Sequence, residues 1–149
     1  MTMRRTLGTT LLLAALLTGC GEDATAPAAD GDPPTRVATV VSGTAAGGDV
    51  APRPTVLDDE AAIAEYAGQF RGPLVRDVIR AARAVAVPDG AHLVAAVVAV
   101  GCDVPPRVEV TGAGSDVSFL PAKVASPHPE CFAPVTTVAL AAVPQDGGE

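Results

Sequence analysis

The chain has 149 residues, 10 Lys and Arg against 17 Asp and Glu, and a formal net charge of −7. It is 48% hydrophobic but only 3% aromatic, with no Trp. These values fit one ordinary domain, lack the cationic footprint that a nucleic-acid binder needs, and are too apolar for a wholly disordered chain. No apolar run reaches the ~18 residues of a mature transmembrane helix.

Residues 1 to 20 read as an export signal. Arg4 and Arg5 form a positive start, and Leu11 to Leu17 is a short apolar stretch, too short to remain as a membrane span. Leu17-Thr18-Gly19-Cys20 follows, directly before a polar tract. This segment resembles the lipobox of bacterial lipoproteins. The resemblance implies lipid transfer to the Cys20 thiol and cleavage after Gly19, leaving a chain anchored in the cell membrane on its extracytoplasmic face. Each buried CH₂ contributes about 0.8 kcal/mol, so one chain holds marginally and the two or three chains of that family hold stably. The Arg pair leaves twin-arginine export open beside the general secretory route. Residues 20 to 35 are the lipidated Cys and a tether. Residues 21 to 35 carry four acids, three prolines and no base, and cannot bury enough apolar surface to offset ordering. Processing would leave 130 residues with a charge of −9.

The folded part spans residues 36 to 144, with a disordered tail at 145 to 149. Arg36 to Ser42 is β-branched and alternating, a first strand. Pro54 to Leu57 is a second short one. Asp58 is placed to cap a helix whose apolar positions are Ile63, Tyr66, Ala67 and Phe70, ended by Gly72-Pro73. A second helix covers Leu74 to about Ala84, with Leu74, Val75, Val78, Ile79 and Ala82 on its apolar side. Pro88-Asp89-Gly90 is a turn. Leu93 to Val100 is a continuous apolar run suited to a buried strand. Val108 to Thr111 and Val117 to Leu120 flank the turn Gly112 to Ser115 as a hairpin. Residues 121 to 134 contain four prolines and read as a loop. Val135 to Val143 is the last, central strand. This order predicts an α+β fold: a largely antiparallel sheet of about five strands with two helices on one face.

Few constellations carry chemistry. Cys102 and Cys131 are the thiols left once Cys20 is acylated, and two Cys in an exported domain read as a disulfide. If their strands are neighbours, the bridge closes a loop of about 30 residues, worth roughly 3 to 4 kcal/mol. The rival is a zinc site, with Asp103, His128 and Glu130 beside the two thiols, but the spacing is not C-x₂-C. A Cys nucleophile with His128 as base lacks an identifiable orienting residue. His92 reads as a half-exposed strand-end residue. Gly112-Ala113-Gly114 is a turn, not a phosphate cradle. Arg76, Arg80 and Arg83 share one helix side, either a docking patch for an acidic partner or a solvated face with Asp77 interleaved. No catalytic residue and no cofactor is assigned.

Gly101-Cys102-Asp103-x-Pro105-Pro106 and Cys131-Phe132-Ala133-Pro134-x-Thr136-Thr137-Val138-Ala139-Leu140, together with the Cys20 start, resemble small bacterial lipoproteins of unknown function. The same segment is similar, more distantly, to the small domain that accompanies certain bacterial surface proteases as a stabilising subunit. No catalytic residue transfers. Arg outnumbers Lys nine to one amid abundant Ala, Gly, Pro and Val, as in proteins of GC-rich genomes such as those of actinobacteria. The expectation is a lipid-anchored, non-enzymatic binding or accessory protein with an envelope protein partner and no nucleic acid. A small-ligand or metal carrier and an envelope hydrolase are the alternatives.

Overall fold

The computed structural model describes residues 36–51 and 53–145, all within the compact unit 31–149. The signal, Cys20, the tether and residues 146 to 149 lie outside the described residues. Gln145, the first residue of the expected tail, donates its N–H to Gly90 O at 2.9 Å.

The strands are β1 (Arg36–Val37), β2 (Thr39–Thr44), β3 (Thr55–Val56), β4 (Ala91–Gly101), β5 (Val108–Thr111), β6 (Ser118–Pro121) and β7 (Val135–Pro144). The helices are α1 (Glu60–Ala67) and α2 (Pro73–Ala84). The class is α+β and every strand pairing is antiparallel. The expected single sheet of about five strands is corrected to seven strands, among the described residues, in two sheets: β2-β7-β4-β3 and β1-β5-β6.

The long apolar strands require this. β4 and β7 are apolar on both faces, so a layer on one side alone would leave a Val and Ala face in water. The helices cover one face, where Leu93, Val97, Val138 and Leu140 meet Ile63, Tyr66, Leu74 and Val78. The smaller sheet covers the other, where Val94, Ala139, Ala141 and Val143 meet Val108, Val110 and Val117. The expected first strand, Arg36 to Ser42, serves both layers. It divides at Ala38, whose N–H donates to Val108 O at 3.0 Å, so that β1 joins one sheet and β2 the other.

Local chemistry shifts two boundaries. Asp59, not Asp58, caps α1: its carboxylate accepts the Ala62 N–H at 2.7 Å. Gly72 does not end α1, which stops at Gly68. Its φ of 62° instead makes it the residue before α2, with Pro73 at the first helical position. Gly43 is a close-approach position: a Cβ there would meet Leu74 Cβ at 2.9 Å, so its absence lets α2 settle on β2. A β-bulge at Val98 sets Val98 and Ala99 against Thr137 and reverses the alternation of β4 beyond it. No helix of the described residues is long and apolar enough to cross a membrane.

Candidate functional site

The β4–β7 ladder ends with Gly101 opposite Val135. Cys102 follows β4 and Cys131 precedes β7, and the ladder brings them together as a disulfide with a Cα–Cα distance of 5.3 Å. The thiols are therefore joined to each other and serve neither as thiolate ligands nor as a nucleophile. Among the described residues, no group of three or more His, Cys, Asp or Glu side chains is arranged to hold a metal ion.

A second clasp sits beside the disulfide. Asp103 accepts the backbone N–H of His128 at 2.9 Å on one oxygen, and its other oxygen lies 2.5 Å from His128 Nδ1. The hydrogen bond from His128 holds the Asp103 carboxyl below the ordinary aspartate range. The loop 121–134 is also tied at both ends, by Ala122 N–H to Arg107 O at 2.8 Å and Ala45 N–H to Pro134 O at 2.8 Å. On this braced loop Phe132, next to Cys131, is fully exposed at 113% of its reference area. Val100 and Val104, two residues either side of Cys102, are exposed as well. The sequence signal for Phe132 is an aromatic residue inside a proline-rich loop, with no periodicity to place it in a core.

A different cluster lies where α1 begins. His92, at the start of β4, places Nδ1 2.6 Å from Asp58 Oδ1. This pairing spans 34 residues and has no local sequence signature. The pair borders a cleft of about 360 Å³ whose lining includes Leu57, Ile63, Val87 and Leu93. Glu60, on the rim, is held by Arg83 with Nη2 2.6 Å from Oε2, and the bond lowers the Glu60 pKa and raises that of Arg83. The cleft lining contains no Ser, Thr, Cys or Lys; its ionisable side chains are Asp58, Asp59, Glu60 and His92.

The three arginines do not form a uniform cationic surface. Arg83 ties α2 to α1 through Glu60, and Arg80 pairs with Asp77 at 2.9 Å. Arg76 is exposed and has no ion-pair partner among the described residues. Buried without hydrogen-bond partners among the described residues are Arg36 Nε, Tyr66 Oη and Thr137 Oγ1, and burial pushes the Tyr66 hydroxyl pKa up.

Comparison with protein-family models, with curated proteins and with solved structures gives no match to this chain.

Proposed function

We propose that this chain is a lipid-anchored binding or accessory protein on the extracytoplasmic face of the cell membrane, acting without catalysis. Cys20 holds it to the bilayer, and the acidic tether spaces the domain from the surface. The loop 121–134 presents Phe132 to an apolar pocket of an envelope protein. The observation that carries this reading is a fully exposed aromatic side chain on a loop restrained by a disulfide and two hydrogen bonds to Asp103. Isolated exposed aromatics lose apolar burial in the free protein, and aromatic anchors dominate binding energy at interfaces. Bracing the loop beforehand lowers the entropy lost on binding.

The experiment places a photo-crosslinking amino acid at position 132 of the full chain in its native cells, with position 65 on exposed α1 as control. A discrete adduct with one envelope protein at 132, absent at 65, is expected. No adduct at 132, or the same adducts at both positions, overturns the loop reading. The anchor is tested by Cys20→Ser, which should release the chain from carbonate-washed membranes; retention there removes the lipid anchor from the proposal.

A second reading rests on the His92–Asp58 cleft. A volume of about 360 Å³, lined by Leu57, Ile63, Val87 and Leu93 on one hand and by Asp58, Asp59, Glu60 and His92 on the other, suits a small ligand with an apolar body and a hydrogen-bond-donating or cationic head. Loss of small-molecule retention in His92→Ala, with partner crosslinking at 132 unchanged, would favour it.

A further inference from the structure

Among the described residues, four strands form the edges of the two sheets: β1 and β6 in one, β2 and β3 in the other. An open edge presents unpaired N–H and C=O groups to any other strand, and proteins blunt such edges by shortness, charge, proline or bulges. Three of the four edges here carry such a device. β3 has two residues and follows Pro54; β1 has two residues and begins with Arg36; β6 closes on Pro121. β2 has none. Its six residues, Thr39-Val40-Val41-Ser42-Gly43-Thr44, include no charge and no proline, and their register with β7 is unbroken. In an antiparallel ladder alternate residues turn both backbone groups away from the partner strand, so β2 presents an outward set that pairs with no strand among the described residues.

Alongside β2 runs a groove of about 280 Å³ lined by Val41, Ser42 and, from α2, Asp77, Arg80, Ala81 and Ala84. We propose that a second copy of this chain occupies this edge. Its β2 pairs antiparallel with the first across a two-fold axis, joining two four-stranded sheets into one of eight strands, with α2 lying beside its counterpart.

The choice of a second copy follows from the charges and sizes along the groove. Asp77 and Arg80 stand three residues apart on α2 with opposite signs. Across a two-fold axis the helices run antiparallel, so Asp77 of each faces Arg80 of the other, an arrangement complementary to itself. Ala81 and Ala84 are small and permit close approach of the two helices. The tether of this same chain is a poor occupant. Its prolines at 27, 33 and 34 and its four acids oppose strand formation. This inference does not depend on lipidation or on Phe132.

The test uses the full chain carrying Cys20→Ser, with single substitutions at exposed positions: Thr39→Cys, Ser42→Cys and Thr44→Cys on β2, with Val56→Cys on β3 and Leu120→Cys on β6 as controls. A short thiol-specific bismaleimide is applied, and the products are resolved by non-reducing gel and mass spectrometry. A covalent homodimer from at least one β2 position, absent from the controls and from the parent chain, is expected. Arg80→Asp should reduce its yield several-fold, and adding Asp77→Arg should restore it. No homodimer from any β2 position, equal yields from the control edges, an adduct with a different protein, or a yield indifferent to the charge reversals each overturns the proposal.

Discussion

The two faces of the four-stranded sheet are filled from different residue sets. Beneath the helices lie Leu57, Ile63, Tyr66, Phe70, Leu74, Leu93 and Leu140; beneath the smaller sheet lie Val94, Val108, Val110, Val117, Ala139, Ala141 and Val143. Both buried aromatic side chains among the described residues, Tyr66 and Phe70, are on the helix side, edge to face with centroids 5.6 Å apart. Helices are round and leave deep grooves against a flat sheet, so long side chains fill them. Two sheets stack as flat layers about 10 Å apart, and Val and Ala fill that gap. A chain with no Trp and four other aromatic residues in total can close its core this way because every buried residue of the sheet-side cluster is Val or Ala, with Phe119 packed half-buried against it. Strand β7 carries both demands in alternation, with Val138 and Leu140 toward the helices and Ala139 and Ala141 toward the other sheet. A slip of one residue would exchange the two sets, which fixes the register.

This contrast can be broken from either side. The largest effect is expected from Leu140→Ala, a fully buried helix-side residue: about 2 to 5 kcal/mol lost in denaturant unfolding, through transfer and cavity terms together. Next is Cys102→Ala with Cys131→Ala, which frees the strands common to both faces. With a separation of 29 residues, chain entropy gives about 3 to 4 kcal/mol, read as a lower denaturation midpoint than that of the oxidised parent. On the thin side, Ala139→Leu should cost about 1 to 3 kcal/mol by overpacking, a loss in thermal unfolding that an ample gap would not show.

Smaller effects sharpen the comparison within β7. Thr136 and Thr137 are adjacent and buried, and face opposite layers. Thr136 donates to Gly47 O at 2.6 Å, whereas Thr137 Oγ1 has no partner among the described residues. Thr136→Val should cost about 1 to 3 kcal/mol, while Thr137→Val should be neutral or gain about 1 kcal/mol. Paired denaturation curves give the sign of each. The smallest effect is the clasp at the edge. The folded Asp103 carboxyl has its pKa lowered, so its contribution is present above the unfolded aspartate value and is lost as pH falls through the lower folded one. Acidification below about pH 4 should therefore loosen the loop 121–134 in hydrogen exchange, and Asp103→Asn should flatten that dependence.

Residues acting locally were legible in the sequence. The 3.6-residue period of Leu74, Val78 and Ala82 marked α2, and the unbroken apolar runs marked β4 and β7 as buried. The flanking of both runs by Cys102 and Cys131 made their pairing a consequence of strand adjacency. What escaped was non-local. Asp58 looked like a helix cap because Asp59 beside it has the same chemistry. Only the fold turns Asp58 to His92, 34 residues away, and leaves the cap to Asp59. Asp103 and His128 likewise meet across 25 residues, beside the disulfide at the end of the β4–β7 ladder. Arg36 to Ser42 looked like one strand because every residue in it suits extended backbone, and the division at Ala38 leaves no mark in composition.

The sequence by itself therefore determined the helices, the two buried strands, the oxidised cysteine pair and the expectation of a lipid anchor at Cys20. The helices, the strands and the Cys20 motif depend on residues within a few positions of one another, where periodicity, capping and motif spacing act, and the cysteine pairing follows from each Cys flanking one of the two buried runs. The tertiary structure alone decided that a second sheet covers the outer face of β4 and β7. It also decided that Phe132 stands in solvent and that β2 is left as an unblunted edge. Those outcomes depend on which surfaces meet across long stretches of chain, and burial of an apolar face dictates only that something must cover it.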